Sequence, residues 1–193
     1  MPDLGLQTQA ERHFGFLASE NGYRCVESSP YRVRFQSPSV FIELVFDGNR
    51  SYELDLLVGQ TVPKESGITS FSISEILRLR RAPEAAQFSL VQVTSSEALA
   101  SFVAQLAHLL QTYGGDIICG NDKSFVELAE HRQKEVKAYA LERDLRMVRA
   151  KAEAAWSKKD YRAVVLALKP FRAALTATEV GKLEFAERQS SAL

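Results

Sequence analysis

Acidic side chains crowd the stretch FIELVFDGNRSYELDLLVG at 41–59, where Glu43, Asp47, Glu53 and Asp55 alternate with apolar residues around an Asp-Gly-Asn-Arg turn. Carboxylates on neighbouring strands are the usual ligands of Mg²⁺ or Mn²⁺ in hydrolases. A nuclease of the kind with an acid followed by Glu-x-Lys on adjacent strands is the sharpest version. Glu53-Leu54-Asp55 has that spacing without the lysine. Arg32 and Arg34 precede the acids on what reads as the next strand, and a guanidinium among carboxylates competes with any cation. The arrangement therefore points to a charged sheet face that is solvated or partner-binding, with no metal and no cofactor expected. Arg32, Arg34, Glu43, Glu53 and Asp55 are the candidate partner-binding residues.

Other chemistries find less support. His13, His108 and His131 stand at no ligand spacing from each other or from a cysteine. Cys25 and Cys119 are far apart and fit reduced thiols. Gly114-Gly115 and Gly120 are followed by no Gly-Lys-Ser/Thr, so they punctuate helices and do not cradle phosphate. Neither Gly-x-Ser-x-Gly nor His-Glu-x-x-His occurs. Arg78, Arg80 and Arg81 end a short helix, where cations complement the helix C-terminus.

These residues need a scaffold, and the chain supplies one. It has 193 residues, 46% hydrophobic and 25% charged, with zero formal net charge. Those values suit a globular protein and give no charge-based reason to expect nucleic acid or a membrane surface. The charge is divided: 9 Lys/Arg against 13 Asp/Glu (9 − 13 = −4) over 1–120, and 15 against 11 (15 − 11 = +4) over 121–193. The absence of an N-terminal apolar region and of any apolar run near ~18 residues leads to the expectation of a cytoplasmic protein.

Helical periodicity marks 6–21, with Leu6, Ala10, Phe14 and Leu17 on one side and Asn21-Gly22 as its stop. Short strands are expected near 23–28, 31–37, 40–47 and 51–59, joined by Ser-Pro, Pro-Ser and Asp-Gly-Asn-Arg turns. A Pro/Gly/Ser loop over roughly 60–71 leads to a short helix from Ile73 to Arg81, capped by Ser72 or Ser74. Ser95-Ser96-Glu97 opens a helix to Tyr113. A long helix is expected from Asn121 to Trp156, a further one over 161–169, and a last one over 179–188 behind Thr176 or Thr178, with 189–193 fraying.

Side chains alternate across strands, so turn length decides which residues meet. The turns predict Val26 opposite Val33, Phe35 opposite Ile42 and Val33 opposite Leu44. At the third turn they predict Phe46 opposite Tyr52, Leu44 opposite Leu54 and Ile42 opposite Leu56. All of these share one apolar face. The other face then reads Cys25, Arg34, Glu43, Asp55 in one row and Glu27, Arg32, Val45, Glu53 in the next. Opposite charges across strands contribute about 0.2–1 kcal/mol a pair.

Leu141, Leu145, Val148 and Ala152 repeat at alternating steps of four and three, a seam for one partner helix. Stretch 152–170, AEAAWSKKDYRAVVLALKP, resembles half of a tetratricopeptide repeat through Ala152, Ala155, Trp156, Asp160-Tyr161, Ala163, Leu168 and Pro170. Lys159 stands where such repeats carry glycine. The resemblance implies a tight helical hairpin, and one half-repeat does not build a stacked peptide groove. The layout of YRVRF, VFIELVFD, SYELDLLV, SISEILRL and GNDKSFVEL resembles a class of small uncharacterised bacterial α+β proteins, some thought to be immunity proteins or partners of other bacterial proteins.

The reading is α+β: an N-terminal helix, a four-stranded antiparallel meander with helices packed on one face, and a helical C-terminal extension. The sheet domain is set at 1–120 and the extension at 121–193. The expected function is a non-enzymatic protein–protein interaction module, immunity-like or regulatory. The alternatives are a metal-dependent hydrolase or nuclease using the sheet carboxylates, and a structural homodimer. The expected partner is another protein or a second copy of the chain.

Overall fold

A computed structural model describes residues 3–62 and 70–190. The centre of the loop expected at 60–71 and the last three residues lie outside them. The chain is α+β, with an antiparallel sheet in the order β1-β2-β3-β4-β5. The elements are α1 (Leu6–Asn21), β1 (Arg24–Ser29), β2 (Arg32–Gln36), β3 (Val40–Phe46), β4 (Leu54–Gln60), β5 (Phe71–Ser72), α2 (Ile73–Arg80), α3 (Ser96–Tyr113), α4 (Gly115–Ile118), α5 (Asp122–Ser157), α6 (Tyr161–Leu168) and α7 (Ala177–Ser190). Short 3-10 helices lie at Pro83–Ala86 and Lys169–Ala174. Among the described residues, no helix is long and apolar enough to cross a membrane.

The chain divides into two compact units, Met1–Arg132 and Gln133–Leu193. The first eleven residues of α5, 122–132, fall in the first unit. In that unit, Leu6, Ala10, Phe14 and Leu17 of α1 are buried with Leu99, Phe102, Val103, Leu106, Leu109 and Leu110 of α3. They share one core with Val33, Phe35, Ile42, Leu44, Phe46, Leu54, Leu56 and Val58 of the sheet. The helix ends follow local chemistry. Gly22, at φ 69, stops α1 in the left-handed region and returns its N–H to the Leu17 carbonyl. The Ser95 hydroxyl accepts from the Ala98 N–H and starts α3. The Ser72 N–H donates to Glu75 Oε2 at 2.9 Å, satisfying a donor at the start of α2. Tyr23 is buried before β1, and its hydroxyl donates to the Ile118 carbonyl at 2.8 Å. Burial pushes that phenol up to about 12.

The β2–β3 pairing matches expectation, with Val33 opposite Leu44 and Phe35 opposite Ile42. Three details differ. A fifth strand, Phe71–Ser72, extends the sheet beside β4. In the first hairpin, Pro30-Tyr31 is the two-residue link, so Ser28 faces Val33. A bulge between Cys25 and Glu27 then leaves Val26 without a cross-strand partner and 56% exposed, not in the core. The same bulge sets Cys25 opposite Phe35 and removes it from the polar row.

The third turn is longer than expected. Phe46 pairs with Leu54, Leu44 with Leu56 and Ile42 with Val58. Asp47 organises the extra length. Its carboxylate accepts from the Ser51 hydroxyl at 3.3 Å, and its carbonyl accepts the Tyr52 N–H at 2.8 Å. Tyr52 turns back through φ 57. The slip is two residues, so the faces keep their identity while every cross-strand neighbour on β4 changes.

In the second unit, Ala152 of α5, Val164 and Leu168 of α6, and Leu183 and Ala186 of α7 form a separate small core. Trp156, Tyr161 and Phe185 pack beside it, with Tyr161 T-shaped to both other rings, Trp156 tilted against Phe185, and ring centroids 5.5–5.8 Å apart. Of the seam expected to need a partner, Ala152 lies in this small core and Val148 packs against it. Leu145 and Ala152 are each 7% exposed, Val148 is half-buried against the core, and only Leu141 stays open at 43%.

Candidate functional site

On the polar face of the sheet, three of the expected residues converge. Arg34 sits directly across β2–β3 from Glu43, and Arg32 is one step along, across from Val45. Glu43 is buried, at 7% exposure, although its strand face is polar. Arg32 Nε lies 3.6 Å and Arg34 Nη1 3.7 Å from the same atom, Glu43 Oε1. Both are ion-pair distances without a hydrogen bond. Glu43 Oε1 and Arg34 Nε have no hydrogen-bond partner in the protein. The Arg34 guanidinium stacks on the Phe41 ring, 3.8 Å from its centroid, which holds the cation flat on the sheet. Two guanidiniums thus share one buried carboxylate, and the exposed Glu27 stands across β1–β2 from Arg34. Arg32 projects furthest, with 48% of its side chain exposed.

Glu53 and Asp55 stand apart from this cluster. The long third turn puts Asp55 opposite Val45 and Leu57 opposite Glu43, so the expected Glu43–Asp55 pair does not form. Glu53 precedes β4 and bridges to Gln92 instead. Asp55 is half-buried, and burial raises its carboxyl pKa; Glu75 and Glu53 add to the rise, and the Leu56 N–H donated to it opposes. Among the described residues, no group of three or more His, Cys, Asp or Glu is placed to hold a metal ion.

Beside β5, Glu75 accepts Arg132 Nε at 2.5 Å and Nη2 at 2.6 Å, a bidentate pair that ties the start of α5 to α2. Arg132 also lies over the Phe71 ring. Burial opposes the charge on Glu75, and the arginine, together with the Ser72 donors, outweighs it and lowers the pKa. Arg80 lies in the last turn of α2, as expected, and also pairs with Asp116, which accepts from Ser124.

The second unit holds a cavity of about 370 Å³. Ala152, Trp156, Val164 and Leu168 form its apolar wall, and Arg149, Glu153, Thr176, Thr178, Glu179 and Lys182 form its polar rim. Arg149 binds Glu179 through Nε at 2.6 Å and Nη2 at 3.2 Å. Lys182 reaches Glu153 at 2.7 Å and lies 5.5 Å from the centre of the Trp156 ring. The sequence offered Thr176 as a cap for α7, and Thr176-x-x-Glu179 is a readable capping pattern. The Arg149–Glu179 contact joins residues thirty apart and leaves no trace in local spacing.

No known protein family, curated protein sequence or solved structure matches this chain.

Proposed function

We propose that this chain is a non-enzymatic protein-binding module, immunity-like or regulatory in role, and that its sheet presents Arg32 and Arg34 to an acidic surface on another protein. The observation that carries this reading is the Arg32–Glu43–Arg34 cluster. One buried carboxylate holds two guanidiniums in place without hydrogen-bonding either at its Oε1 atom. The donors of Arg32 therefore stay available, and Phe41 pre-orients those of Arg34. An arginine already stacked in place, as Arg34 is on Phe41, loses less freedom on binding a carboxylate partner.

The test is affinity capture from the source organism's lysate with wild-type and Arg32→Glu baits. A stoichiometric partner lost on charge reversal supports the reading, and a partner retained by Arg32→Glu moves the interface elsewhere. No partner on either bait overturns it.

A second reading, a structural homodimer, rests on one observation. Val136, Tyr139 and Met147 of α5 are 62%, 71% and 54% exposed, large apolar groups on a single helix. Sedimentation velocity of wild type and Tyr139→Glu over a concentration series decides it. A dimer dissolved by the substitution supports it, and a monomer at all concentrations eliminates it.

A further inference from the structure

We propose that the cavity between α5, α6 and α7 is a binding site for a small organic acid, a single carboxylate on an apolar body of a few carbons. The size comes first. About 370 Å³ is within the range of pockets that enclose small molecules. The wall comes second: Ala152, Val164, Leu168 and the Trp156 ring give an apolar body a dry surface on which to pack.

The rim decides the head group. A guanidinium carries five N–H donors, and Glu179 engages two of those on Arg149. An ammonium carries three, and Glu153 engages one on Lys182. The Thr178 hydroxyl adds another donor at the rim. The acceptors are in the opposite condition. Glu179 already accepts from Arg149 twice, from the Thr176 N–H at 2.7 Å and from the Thr176 hydroxyl at 3.0 Å. Glu153 takes Lys182 and otherwise faces solvent, with 65% of its side chain exposed. The rim carries two cations and two carboxylates, so its formal charges balance. The donors left open belong to Arg149, Lys182 and Thr178, and the acceptors left open lie mainly on the solvent-facing Glu153. An acceptor-rich ligand end fits those donors, whereas an amine would have to rely on the exposed Glu153.

Trp156 is the only tryptophan in the chain, so its emission reports on the cavity without labelling. The experiment titrates the full chain with hexanoate, hexan-1-ol and hexylamine, which share one apolar body and differ in head group. Hexanoate is expected to give a saturable change in Trp156 emission at lower concentration than hexan-1-ol, with hexylamine weakest. Lys182→Met should weaken hexanoate about tenfold, the loss of one charge-assisted hydrogen bond, and leave hexan-1-ol unchanged. Thr178→Val, on an exposed residue, serves as a second rim variant with a smaller loss in the same direction, and circular dichroism confirms that both variants are folded. No saturable response to hexanoate overturns the proposal. So does equal binding of all three probes, or hexanoate binding that both rim variants leave intact.

Discussion

Arg149 and Glu179 form a two-pronged ion pair, and the same Glu179 carboxylate also caps the first turn of α7 through Thr176. The Arg149 hydrogen bond, with the Thr176 donors behind it, lowers the Glu179 pKa from its ordinary 4.5 to about 2. A carboxylate whose folded value lies below its unfolded one stabilises the fold fully above the unfolded value. That contribution is lost as pH falls through the folded value. The second unit is therefore expected to lose stability between pH 4.5 and about 2. Thermal melts followed by Trp156 emission should show this loss in wild type and a smaller one in Glu179→Gln.

Lys159 occupies the left-handed region at φ 57, in the turn between α5 and α6. A side chain with a Cβ is strained there, whereas glycine is not. Lys159→Gly should raise stability by about 0.5–1 kcal/mol, since relief of strain exceeds the added freedom of the unfolded chain. Lys159→Val should lower it. Denaturant midpoints measured side by side would reveal the opposite signs.

The two arginines over Glu43 should differ in their structural weight. Arg34 covers Phe41 and sits directly opposite the buried carboxylate, so Arg34→Ala is expected to cost about 1–3 kcal/mol. Arg32 is half exposed, and Arg32→Ala should cost less than about 1 kcal/mol. Urea unfolding of the two variants checks the order, and equal losses would contradict this account of the cluster.

The core makes an equally direct contrast. Leu44→Ala opens a cavity in the core shared by the sheet and its helices and should cost about 2–5 kcal/mol. Val26→Ser, at the exposed bulge, should change stability by no more than about 0.5 kcal/mol. A large loss at Val26 would mean that this side chain is not where the sheet puts it.

Elements whose signals are local are legible in the sequence. Gly22, Ser95 and Gly114 mark helix ends by their own conformational chemistry, and the period-two pattern of β2, β3 and β4 sorts core from polar face correctly. What the pattern does not contain is turn length. The Asp47 carboxylate lengthens the third turn by holding Ser51, and a two-residue slip preserves every hydrophobic alternation. The register of Glu43 against Asp55 was therefore open to error even though their faces were not. Val26 departs from its expected place for a related reason, because a bulge shifts one residue without changing composition. The cavity was invisible because its rim joins α5 to α7 across a long stretch of chain.

The bulge at Val26 also bears on how copies of this chain behave together. β1 is an outer strand of the sheet, and Arg24 to Ser28 are all exposed, so its free N–H and C=O groups offer a template for any passing strand. A kink at Val26 breaks that template after two residues and increases the local twist, which denies a neighbour a continuous ladder. Deleting Val26 would leave a flat strand with a regular outer edge. Light scattering of concentrated samples should then show fibrillar or amorphous association that the intact chain resists. A residue that contributes little to the stability of the folded monomer would thus be what keeps it soluble.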